Sequence, residues 1–169
     1  MNGDARTLVP QALTAEAFAA FGDVIEADGD FEIINDGTTR QFADLARIDI
    51  AADDGHARIS IYRTTPYQLP FTLRMLERHP LSSQLFMPLS GQAFLVVVAP
   101  AGADPGAASV HAFVTNGRQG VNYQRGTWHH PLIALGHPGE FLVIDRGGRG
   151  RNCDEYFFRD EGIVLQAPA

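Results

Sequence analysis

The chain has a single cysteine, Cys153. No disulfide can close within it, which suits a reducing compartment. Positive charge is also short: 13 Lys and Arg stand against 20 Asp and Glu, for a formal net charge of -7. Nucleic-acid binding needs clustered basic residues, so that class of partner is excluded. Long apolar runs are missing; residues 93–100 (AFLVVVAP) fall far short of the roughly 20 residues a spanning helix needs. The opening MNGDARTLVPQALTAEAF has no basic segment followed by an apolar one, so no secretory signal is expected. There is no G-x-S-x-G elbow, and Cys153 lies in a late acidic stretch without an evident base beside it. The expectation is a cytoplasmic protein without nucleic-acid or membrane partners, whose chemistry uses no covalent nucleophile.

What is present is ordinary globular material. The 169 residues are 45% hydrophobic and 20% charged, enough for one domain over 1–169 with a real core. The 17 glycines and 10 prolines are spread along the chain, as in a fold of short strands and turns. Thr14 can cap a short N-terminal helix over 15–21, with Ala17, Phe18 and Phe21 on its apolar stripe and Gly22 as its stop. Beyond it the period shifts toward 2. Strands are expected over 31–35, 45–50, 58–63, 71–79, 85–89, 94–99, 110–115, 121–123, 129–135 and 141–145, with turns at Asp36-Gly37 and Asp54-Gly55. Many short strands at this spacing predict a mainly β sandwich or barrel.

Two stretches concentrate the chemistry. Over 71–79, alternation places Phe71, Leu73, Met75, Glu77 and His79 on one face, which runs from apolar to acid and imidazole. Gln84 and Gly91 follow. Over 120–132 (GVNYQRGTWHHPL), Gly126 can make a tight turn before His129 and His130, whose side chains alternate, so at most one points inward. Ile59, Ile61 and Arg63 share a face read as internal. Arg63 is there either a clamp for a substrate carboxylate or the partner of a buried Asp49 or Asp145. Asn122, Tyr123 and Arg125 either line the same mouth or serve turn and packing. Asp145 ends the apolar strand FLVID, where it can face the site.

The spacing E-x-H-x4-Q-x6-G, followed by G-x2-H, resembles the two motifs of the cupin family. Glu77 stands where the family has its first His, Gln84 where it has Glu, Gln124 where it has Pro, and Ile133 where it has Asn. Longer strings carry a closer likeness: AFAAFGDVIE, ISIYR, LERHPLSSQLFMPLSGQAFLVVVA, HAFVTNGRQGVNYQRGTWHHPL and FLVIDRGG with NCDE resemble the ureidoglycolate lyases of bacterial allantoin breakdown. That resemblance implies a cupin-type, jelly-roll-like β-barrel and a homodimer. It implies a divalent metal, nickel in that family, and cleavage of (S)-ureidoglycolate to glyoxylate and urea. Taken with the strand faces above, it leaves Glu77, His79 and His129 as the catalytic candidates, and Arg63, Gln84, Asn122, Tyr123, His130 and Asp145 as the substrate-binding ones.

Two imidazoles and a carboxylate suit a first-row divalent ion, so Glu77, His79, His129 and Gln84 form the candidate metal set. The neutral amide of Gln84 is the weakest of these donors; it can equally bridge backbone groups. Without a metal, the same side chains can still hydrogen-bond a substrate and move protons. Two other readings stay open: a cupin that only binds a small ligand, and a ureidoglycolate hydrolase that releases ammonia.

Overall fold

The structure, a computed structural model, describes residues 5–158 and 162–169. In chain order its elements are β1 (Arg6–Leu8), β2 (Gln11–Ala12), α1 (Ala15–Phe18), β3 (Gly22–Ile25), β4 (Glu32–Ile34), β5 (Thr39–Gln41), β6 (His56–Thr64), β7 (Phe71–Leu73) and β8 (Met75–Arg78). They continue with β9 (Gln84–Pro88), β10 (Phe94–Ala99), β11 (His111–Val114), β12 (Gly120–Tyr123), β13 (Trp128–His129), β14 (Ile133–Ala134), β15 (Gly139–Gly147), β16 (Asp154–Phe157) and β17 (Ile163–Leu165).

Alternation sorts the strand side chains into two cores. One sheet runs β16-β8-β13-β10-β11-β2, with β14 also on β10; a second runs β3-β12-β9-β15-β6. Phe94, Val96, Val98 and Phe113 of the first meet Phe86, Val121, Tyr123, Phe141 and Val143 of the second. The opposite face of β10, with Leu95 and Val97, packs under a third sheet, β1-β17-β7, through Leu8, Leu73, Ile163 and Leu165. Complete burial of such side chains is worth about 1.5–3 kcal/mol each, so these two layers dominate stability.

Thr14 does cap α1, accepting from the Ala17 amide, but the helix is a single turn rather than one reaching residue 21. Its Phe18 touches Phe113 and Tyr123 and so bridges the two facing sheets along one side. Along the other side the edge strands β6 and β16 are not paired to each other. Among the described residues the fold is therefore a mainly β, cupin-like sandwich, as expected, and its sheets do not close into a continuous barrel.

Three strand expectations change. Residues 71–79 are not one strand: β7 belongs to the covering sheet, β8 to the facing one, and the path breaks at Arg74, whose carbonyl accepts from the Phe158 amide. Residues 45–50 alternate but form no strand; their backbone instead bonds to side chains of Asp23, Ser83 and Asn122. Residues 129–135 split into β13 and β14. The late strands β16 and β17 had no sequence expectation.

Candidate active site

Four elements bring the site together. Glu77 on β8 pairs in register with His129 on β13, so their side chains leave adjacent backbone positions toward the same space. His79 follows the end of β8. Gln84 opens β9, beside Tyr123 of β12. A carboxylate oxygen of Glu77 and one ring nitrogen from each of His79 and His129 lie within 4.8 Å of one another.

The hydrogen bonds set the tautomers. His79 donates from Nδ1 to the backbone carbonyl of Asn152 at 2.6 Å. His129 donates from Nδ1 to the carbonyl of Thr127 at 2.9 Å. With both Nδ1 hydrogens committed to backbone, each ring turns inward an Nε2 lone pair when neutral and an Nε2–H donor when protonated. Both Nε2 atoms meet Oε1 of Gln84, at 3.0 and 3.2 Å, and His129 Nε2 is 3.6 Å from Glu77 Oε1. Bonds of about 2.1 Å at 90–109° hold donors about 3.0–3.4 Å apart, a spacing the two Gln84 contacts match and the His129–Glu77 separation slightly exceeds, so the group could hold one first-row divalent ion. Backbone carbonyls on the far ring nitrogens are also what ligating histidines commonly have.

The surroundings shape the charges. Burial works to raise the Glu77 carboxyl, but the His129 hydrogen bond and the nearby histidine charges outweigh it and hold the group below its ordinary value. Burial, then the charge of His129, lowers His79, which favours the neutral ring. Tyr123 stacks on His129 at 4.3 Å with rings 12° apart, and burial pushes its hydroxyl well above the ordinary range. A cavity of about 240 Å³ beside His79 is lined by Arg58, Asp145, Arg146, Asn152 and Cys153 among others.

Several expected residues lie elsewhere. Arg63 is on the outer surface and pairs with Glu140, not with Asp49 or Asp145. The face assignment of β6 is thus corrected: Ile59 and Ile61 point out with Arg63, while Arg58 and Tyr62 point in, against Asp145 and Phe86. Asn122 faces away from Tyr123 and donates to Asp23 and the Arg47 carbonyl. Arg125 is likewise outside, on Asp49. His130 turns from His129 toward Tyr67 and Phe71. Asp145 does face the cavity, gripped through both oxygens by Arg58 at 2.8 Å.

Arg58, Tyr62, Asn152 and Cys153 were missed as candidates. The polar–aromatic parity of Arg58, Ser60 and Tyr62 against Ile59 and Ile61 was the available signal for the first two. Cys153 lies 3.9 Å from Glu77 Oε2, and burial together with that carboxylate raises its thiol.

Comparison with known proteins decides the family. The model of the ureidoglycolate lyase family matches residues 5–165. The chain belongs to the ureidoglycolate lyase family. Its similar relatives include the ureidoglycolate lyase of Stutzerimonas stutzeri, 54% identical, the match covering 96% of both chains. Those of Pseudomonas fluorescens Pf-5 and Pseudomonas putida F1 are 53% and 52% identical, over 96% of this chain and 98% of theirs. The clustered Glu77, His79 and His129 lie in the part of the sequence that the family model spans.

Proposed function

We propose that the protein is a ureidoglycolate lyase, splitting (S)-ureidoglycolate into glyoxylate and urea in purine nitrogen breakdown. The observation that carries this is the clustering of two backbone-oriented imidazoles and a carboxylate, with His79 also on the wall of the neighbouring cavity, in a chain of this family. The substrate is a carbinolamide whose reaction is a net transfer of the hydroxyl proton to the departing urea nitrogen, as the C–O bond becomes a carbonyl and the C–N bond breaks. Glu77, held ionised, accepts the hydroxyl proton and returns it to that nitrogen. Tyr123, kept protonated, stacks on His129 and holds the plane of its ring. Arg58, paired with Asp145 on the cavity wall, and the neighbouring Arg146 are the guanidinium groups there that can meet a substrate carboxylate, the role expected of Arg63. The chain contains no lysine, so the aldehyde product meets no amine side chain with which to form a Schiff base.

Glu77, His79 and His129 would hold a divalent metal, nickel by family resemblance, with Gln84 as a weak fourth donor. Bound there, it supplies a Lewis acid for a substrate oxygen. The protein works in the cytoplasm as a homodimer. The dimer reading is supported by an exposed apolar face on β6, where Ile59 is 70% and Ile61 55% exposed, and by the unpaired outer edge of that strand among the described residues. No helix among the described residues is long and apolar enough to cross a membrane.

The test is a product assay on chelator-treated protein, with and without added nickel. Equal amounts of glyoxylate and urea, lost on chelation and restored by nickel, are expected. Glyoxylate with ammonia would support the hydrolase reading. Ligand binding without any glyoxylate would leave a binding-only cupin and overturn the lyase.

A further inference from the structure

Asn152 has no assigned role, yet it is tied to the site through three separate contacts. Its backbone carbonyl accepts the Nδ1 hydrogen of His79, 73 residues away in the chain. Its side-chain Oδ1 accepts from the Leu81 amide at 2.8 Å, and its Nδ2 donates to Ser82 Oγ at 2.9 Å. Leu81 and Ser82 lie just after His79, so the side chain grips the same short segment whose imidazole the carbonyl reads. Ser82 is 1% exposed, which keeps this grip out of competition with solvent.

We infer that Asn152 is a positioning residue that fixes the His79 hydrogen on Nδ1, leaving Nε2 turned toward the cluster with Glu77 and His129. The side chain acts as a clamp, and the carbonyl it places is the orienting acceptor. An imidazole without that acceptor is free to carry its hydrogen on Nε2, where it blocks a metal and faces the wrong way for accepting a proton. This rests on the reading of His79 Nε2 as a working atom. It adds that the loop before β16 sets the ring's chemistry.

The test uses the full chain with ¹⁵N-labelled histidine, metal-free, near neutral pH. Ring-nitrogen spectra of the wild type should show His79 as the Nδ1–H form. Asn152→Ala should bring up the Nε2–H form while amide spectra stay those of a folded protein. Co²⁺ titrated into the two proteins should bind the variant about 10–100-fold more weakly, the usual cost of losing an outer partner of a ligating histidine. Asn152→Asp, which keeps the acceptor for the Leu81 amide, should recover most of the Nδ1–H form. Should Asn152→Ala fail to fold, Ser82→Ala removes one arm of the clamp and should give a smaller shift in the same direction. A folded Asn152→Ala whose His79 stays wholly Nδ1–H overturns the inference. The tautomer is read without substrate, so failure of the lyase assay and failure of this inference are separate results.

Discussion

His79 and Arg63 were both candidates by alternation, and their neighbours separate them. His79 has each ring nitrogen committed, Nδ1 to a carbonyl and Nε2 toward Gln84 and the cavity. Arg63 has an 80% exposed side chain and an ion pair with Glu140. Such exposed pairs are worth about 0–1 kcal/mol. His79→Ala is therefore expected to lower turnover by about 10²-fold or more, with an unchanged circular-dichroism spectrum. Arg63→Lys should leave both kcat and KM at wild-type values. Steady-state kinetics on the two variants checks both; normal turnover in His79→Ala would make that ring structural. Asn152 shows what side-chain patterning cannot reach. Its contribution to His79 is a backbone carbonyl, which every residue has, delivered across 73 residues by the fold.

Among the elements, β3 shows how closely strands must approach to form the inner wall. Gly22 pairs with Tyr123, its φ is +151°, and a Cβ there would run into the Asn122 carbonyl oxygen. Gly22→Ala should cost about 2 kcal/mol or more, seen as a lower urea midpoint with an unchanged slope. A midpoint equal to wild type would mean that β3 can shift away from β12 without loss. Strand positions were largely legible, because β9, β10, β11, β12 and β15 have compact apolar or alternating runs between turn residues. The facing of β6 was not. Hydrophobicity alone sends Ile59 and Ile61 inward, but the inner side of β6 borders a polar cavity, so Arg58 and Tyr62 take it. The break at Arg74 was also hidden, since alternation over 71–79 is uninterrupted and the break reflects a change of sheet. Glu77, His79, Gln84 and His129 were found together because motif spacing survives where residue types do not. Asn122 was misplaced because adjacent strand residues face opposite ways and Tyr123 takes the inside.

For the whole molecule, the outward face of β6 gives the dimer its test. Light scattering on the purified protein should give twice the chain mass. Ile61→Glu should reduce it to one chain mass, because a buried unpaired carboxylate strongly disfavours an apolar contact. A wild-type protein that is monomeric at micromolar concentration would remove the interface from β6. The distribution of site groups along the chain has a further consequence. Glu77 and Gln84 lie near the middle, His129 comes 45 residues after Gln84, and the carbonyl on His79 belongs to residue 152. A ribosome that has delivered only the first 150 residues has made every side chain of the cluster but not the group that orients His79. The nascent protein thus acquires its finished imidazole pair only after residue 152 has been made, and ions present in the cell earlier meet an unready chain.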